Sequence, residues 1–222
     1  MNLIEISISR ELKSKNPKMA LGTIQCQVTN SAYHAELWKE IQQVSEQIRQ
    51  TFSFESIKDQ PQIAATRTMY QACGKEPSRY RPSSEALMRR IVKGMELYQI
   101  NTLVDLVNLV SLKSGYSIGG FDASYIQGKV EAGIGREGEP YTGIGRGPIN
   151  IHNLPVLRDE QGGIGTPTSD EERTAIRPET SMFLMNINGY TGAKDLTETM
   201  DYTEMLLQKF VNATEIVRRV IE

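Results

Sequence analysis

From Lys75 to Lys93 the chain reads KEPSRYRPSSEALMRRIVK. Six basic side chains (Lys75, Arg79, Arg81, Arg89, Arg90 and Lys93) stand against Glu76 and Glu85, a local balance of +4. Guanidinium groups clustered in this way suit phosphates, and a tyrosine between two arginines offers a face to a nucleobase. Arg79, Tyr80, Arg81, Arg89 and Arg90 therefore read as RNA contacts. The competing reading is a solvated helix face or a set of internal ion pairs. For the latter the stretch Asp159–Glu179, with a balance of −4, supplies acidic partners.

Other spacings promise less chemistry. Gly133-Ile134-Gly135-Arg136-Glu137-Gly138 matches G-x-G-x-x-G, but a dinucleotide site needs that motif to open a helix. Pro140 and a further glycine cluster follow, so a turn with a bulge is expected. Gly-Ile-Gly recurs at Gly133, Gly143 and Gly163. Such glycines either curve a sheet or let backbone approach a ligand. His34 and His152 have no ligand-spaced partner, which speaks against a metal site, and no cofactor motif is present. No nucleophile elbow or phosphate loop occurs, so the catalytic residues stay unassigned.

These groups need elements to hold them. Ile4, Ile6 and Ile8 alternate as on a half-buried strand, and Leu21 to Val28 predicts a second strand with Ile24, Cys26 and Val28 on one face. Leu37, Trp38, Ile41, Val44 and Ile48 recur at helical spacing within 31–51, and a shorter helix is expected over 61–73, stopped by Gly74. Pro82 ends whatever precedes it. Ser83 is then the expected N-cap of a helix whose first turn holds Glu85 and which stops at Gly94. Asn101 or Thr102 caps the next helix, in which apolar residues from Leu103 to Leu112 wrap most of the circumference. Asp105 and Asn108 interrupt that surface three residues apart, and each needs a partner or costs roughly a few kcal/mol. Beyond Gly115, glycines and β-branched runs predict short strands. Thr180–Gly189 reads as another strand, and an amphipathic helix over 195–212 is expected to close the chain. The order predicts an α+β fold: one unit of two lobes over residues 1–222, with a mixed or antiparallel sheet block and packed helices.

Composition sets outer bounds. A 222-residue chain with 39% hydrophobic and 23% charged residues has an ordinary globular make-up. Its net charge of −2 gives no global pull on nucleic acid, so RNA binding would have to be local. Cys26 and Cys73 read as free thiols of a reducing cytosol. No apolar run spans a membrane, and Met1 leads into an alternating strand rather than a signal peptide. The expectation is a cytoplasmic protein.

Four blocks in order carry a resemblance: YRPSSEALMRRIVKG, INTLVDLVNLVSLKSGYSIGGFD, GREGEPYTGIG and PVLRDEQGGIGTPTSDEERTAI. Together they resemble the B3/B4 domain of the β chain of bacterial-type phenylalanyl-tRNA synthetase, which also occurs free-standing. The match is good over 76–222 and weak over 1–75. The resemblance implies a pocket between two lobes that accepts the aminoacyl end of tRNA and hydrolyses wrongly attached tyrosine. It implies no aminoacylation, since nothing resembles the ATP-binding domains. Carried over by position, Asp105 and Asn108 match the family's Val-Asp-x-Thr-Asn-type segment, with Val107 replacing its threonine. Gly119, Gly120 and Asp122 fall in the Pro-Leu-His-Ala-Phe-Asp turn, with Gly119 replacing its histidine. The glutamate that reads the tyrosine hydroxyl falls near Gly163 and Gly165, among Asp170, Glu171 and Glu172. The implied function is a tRNA or aminoacyl-tRNA binding module, with deacylation of mischarged tRNA as its chemistry. The alternatives are a binder of a free amino acid or related metabolite, and a non-catalytic scaffold that meets a protein partner or a second copy.

Overall fold

The computed structural model describes residues 3–222; Met1 and Asn2, on which the reading of a strand start rather than a leader partly rests, lie outside them. Ten strands, numbered β1 to β10, and six α-helices, α1 to α6, are described. The fold is α+β, as the sequence predicts. In one sheet β1 (Ile6–Ile8), β4 (Val130–Ile134), β7 (Pro155–Asp159) and β8 (Gly162–Gly165) follow one another. It is mixed, because β1 runs parallel to β4 and the other pairs are antiparallel. The second sheet, ordered β10 (Thr214–Ile221), β2 (Ala20–Gln27), β9 (Met182–Gly189) and β3 (Ile118–Asp122), is antiparallel throughout.

Strand alternation decides how the layers stack. On β2, Ile24 and Cys26 point into a core shared with α2 (Ala35–Thr51), α5 (Thr102–Ser114) and α6 (Leu196–Val211). Leu21, on the opposite face, meets Phe121, Val130, Leu157 and Ile164, the core between the two sheets. The order is helices, second sheet, first sheet. At one side β1 lies beside β10; at the other β8 and β3 approach across the ring of Phe121.

α5 is apolar on nearly all sides because it is enclosed by α2, α4 (Ser83–Val92), α6 and β3. The side chain of Asn101 caps it by accepting from Val104 N at 3.0 Å. Two expectations are corrected and one helix is added. Pro82, not Ser83, occupies the N-cap of α4, and the Ser83 N–H donates to the Pro167 carbonyl at 2.8 Å instead. A short helix, α1 (Arg10–Lys15), follows β1, its cap Ser9 accepting from Leu12 N. The chain also does not end on α6: left-handed Asn212 turns it into the edge strand β10. The turn reading of the glycine motif is observed, since Gly133 lies in β4, Gly138 takes a positive φ of 69°, and no helix opens there. No described helix is long and apolar enough to cross a membrane.

Candidate functional site

The basic stretch is organised by one acid. Glu85, in the first turn of α4, is fully buried. Its carboxylate accepts from Arg67 of α3 (Pro61–Ala72) at 3.0 Å and from Arg89 at 2.8 Å, and Arg81 lies 3.6 Å away. Three cations around one anion leave a surplus of positive charge at the surface. Arg89 also stacks on Phe54, with its guanidinium carbon 4.1 Å from the ring centre, and Arg90 stacks on Tyr98 at 3.9 Å.

Beside this helix opens a cleft of about 640 Å³. Its walls come from α4, from α5, from the segment 93–100 that joins them, and from the tip of the hairpin β5 (Thr142–Gly143) to β6 (Gly147–Pro148). Arg81, Arg89, Arg90, Lys93 and Arg146 make the lining cationic. Met95, Tyr98, Ile100 and Ile144 rim it with exposed apolar surface, which isolated monomers seldom display in one place. Val104, Val107 and Asn108 line the α5 side, and the amide of Asn108 makes no hydrogen bond to another described residue.

At the cleft floor stands Asp170. β3 is an edge strand, so the Gly120 N–H points away from the sheet, and it donates to Asp170 Oδ2 at 3.2 Å. Oδ1 has no hydrogen-bond donor and the carboxylate no cationic partner among the described residues. The residue keeps some exposed area towards the cleft while protein crowds the carboxyl itself. Burial therefore pushes its pKa up to about 7, against a smaller opposing pull from the Gly120 N–H. Below it a void of about 10 Å³, no larger than one water, is bordered by Gly119, Asn186 and Tyr190, and Asn186 Oδ1 is buried there without a partner.

Of the residues singled out in the sequence, Asn108, Gly120, Arg81, Arg89 and Arg90 meet at this cleft, and Asp170 separates itself from Glu171 and Glu172. The Glu171 carboxylate caps Arg173 N. Asp105 lies elsewhere. Its carboxylate accepts from Trp38 Nε1 at 2.8 Å and Ile100 N at 3.1 Å, tying α2 and segment 93–100 to α5. Desolvation raises its pKa. Asp122 accepts from Ser124 N and from Thr180 Oγ1, holding a turn. Gly119 has no room for a side chain, since a Cβ there would come within 2.6 Å of the Phe121 ring. Gly165 presses on the same ring, and Gly163 on Tyr141. Lys75 donates to the carbonyls of Asn150 and His152 and sits 3.8 Å over the ring of Tyr80, which keeps Tyr80 and neighbouring Arg79 away from the cleft. The acidic stretch is not the arginines' partner: Asp159 pairs with Arg173, within the stretch itself. The sequence reading missed Phe54, Tyr98 and Arg146; the one signal for the last was its place between the turn glycines Gly145 and Gly147.

Fold and cleft together define an α+β protein with a cationic, aromatic-rimmed pocket where two sheet edges meet. The chain matches the family model of the B3/4 domain over residues 65–206, well over half its length, and belongs to that family. The match begins inside α3 and ends inside α6. Among solved structures it is similar to an N-terminal fragment of the phenylalanyl-tRNA synthetase β-subunit from Pyrococcus horikoshii, at 11% identity and a TM-score of 0.46. That comparison covers 99% of this chain and 51% of the other, so the chain spans about half of it. No curated protein matches.

Proposed function

We propose that the cleft receives the aminoacyl end of a tRNA. The observation that carries this reading is the division of labour along its wall: cations and exposed aromatic surface at the rim, uncharged and acidic polar groups at the floor. Phosphates are met by Arg81, Lys93 and Arg146, which have open surface, and a terminal base by Tyr98. The floor, with the unengaged amide of Asn108, receives the ester. Family membership supports the reading, because the related synthetase domain is the one the sequence blocks resemble.

The function proposed is binding. The residues that line the cleft include no histidine, Val107 offers no hydroxyl, and the place where the resemblance expects an imidazole is Gly119, blocked by Phe121. A time course with tyrosine-charged phenylalanine tRNA tests both halves. Saturable retention of the charged tRNA, with ester loss no faster than the uncatalysed rate, is the expected result. Accelerated hydrolysis would make the protein a trans-editing deacylase, and no binding of charged or uncharged tRNA would reject the reading. The cleft volume also favours a second reading, since it lies within the roughly 300–1,000 Å³ of small-molecule sites. A free amino acid that raises the melting temperature while tRNA does not would establish it.

A further inference from the structure

Among the described residues, Asp170 is the one acidic side chain that lines the cleft, facing five cationic ones. Three other carboxylates that the fold withdraws from water have an arginine: Glu85 has Arg67 and Arg89, Asp159 has Arg173 at 2.8 Å, and Glu139 has Arg158 at 2.7 Å. Asp105 and Asp122 have none, but each receives a hydrogen-bond donor on both carboxylate oxygens. Asp170 has only the Gly120 N–H. That bond uses one acceptor position of Oδ2, beside cleft-lining Gly120, while Oδ1 lies against Gly119 and Gly165 without a donor. A crowded carboxylate in this state is costly to ionise, and an incoming cation relieves the cost.

We infer that Asp170 reads the α-ammonium group of the bound ligand, so that the cleft selects a terminus carrying a free amino acid over an uncharged or N-acylated one. The inference rests on the proposed function and deepens it. Charge order in the cleft supports it. An anion driven to the floor would meet Asp170, and an ammonium held at the rim would meet arginines. A ligand with a phosphate at one end and an ammonium at the other satisfies both, and an aminoacyl nucleotide is such a ligand. Asn108, across the floor on α5, has an amide free to meet the ester between them. Holding Oδ2 through backbone on the edge strand also preorganises the carboxylate, so little ordering is needed when the ammonium arrives.

The test uses tRNA bearing tyrosine through a stable 3′-amide, in a free-amine form and an N-acetyl form, together with uncharged tRNA, each titrated into the full chain at pH 8. The wild type is expected to bind the free-amine form about tenfold more tightly than the other two, the scale of one charge-assisted hydrogen bond. Asp170→Asn, whose amide oxygen can still accept from Gly120 N–H, should bind all three alike. Arg146→Ala should weaken all three equally and preserve the preference. Equal binding of the three forms by the wild type, or a preference that survives Asp170→Asn, overturns the inference alone. Failure of the wild type to bind any of them removes the proposed function, and the inference with it.

Discussion

Glu85 and Asp170 are both carboxylates that the fold withdraws from water, the first on α4 and the second beside β3, yet their surroundings are opposites. Glu85 is ringed by Arg67, Arg81 and Arg89 from two helices and the residues before them. Asp170 receives one backbone N–H. The first arrangement is complete without a ligand, and it fixes where the surplus guanidinium charge emerges. The second is incomplete, and it lies where the cleft ends. A buried charge that the protein neutralises itself serves the scaffold, whereas one left uncompensated at a cavity floor points to what the cavity takes.

Breaking the first arrangement should have the largest effect. Glu85→Ala leaves Arg67 and Arg89 converging on nothing, and a loss of about 3 kcal/mol in unfolding free energy is expected by urea titration. Glu85→Gln should fall between, because its amide oxygen still accepts. If Glu85→Ala proves as stable as the parent, the guanidinium groups are not held by this acid and the contrast collapses.

The second effect is one of pH. The folded pKa of Asp170, about 7, stands above its ordinary value of 3.8. From about pH 4 to pH 7 the folded protein keeps a proton that the unfolded chain has released. Its contribution to stability is therefore full below about pH 4, falls as pH rises through that window, and is lost above it. Asp170→Asn should remove this fall, and become more stable than the parent above pH 7 by roughly 1–3 kcal/mol. Paired melts at pH 4.5 and 8 read the difference directly. A parallel response of the two proteins would mean that Asp170 is already compensated.

Much of the scaffold could be read from the chain, because periodicity and caps report on local physics. The apolar circumference of 103–112 meant enclosure, and α5 is enclosed; Ile24, Cys26 and Val28 share one core as their alternation requires. The last strand escaped because β10 is a partly exposed edge, so its residues carry no clean alternation. For the site, sequence brought forward Arg81, Arg89 and Arg90 but could not tell engaged from open guanidinium groups. That distinction depends on Arg67, distant in the chain, reaching Glu85. Asp105 misled for a similar reason: its partner Trp38 lies on α2, and spacing within α5 says nothing of which neighbour each face meets. Tyr98 and Arg146 sit in connections, where no periodicity marks a residue.

Among rim groups, Tyr98 should matter most to binding. Its ring is 68% exposed and carries Arg90 on one face. Tyr98→Ala should weaken tRNA binding by about tenfold, a typical value for losing one stacked base, with the melting temperature unchanged. Tyr98→Phe should retain the affinity. An equal loss in both variants would implicate the hydroxyl and not stacking.

The smallest expected effect sharpens the comparison most, because it sets two arginines of the same cleft against each other. Arg146 forms no ion pair among the described residues and stands at an exposed hairpin tip, whereas Arg89 is bound to Glu85 and laid on Phe54. Arg146→Ala should leave stability within about 0.5 kcal/mol of the parent, lower tRNA affinity a few-fold, and reduce the slope of log affinity against log salt by about 1, the signature of one lost phosphate contact. Arg89→Ala should do the reverse, lowering stability with little change in that slope. The double variant should then show each effect undiminished, since the two side chains share no partner. A salt slope that falls with Arg89→Ala and not with Arg146→Ala would mean that phosphates approach along α4 rather than over the hairpin tip, and the entrance to the cleft would have to be redrawn on that side.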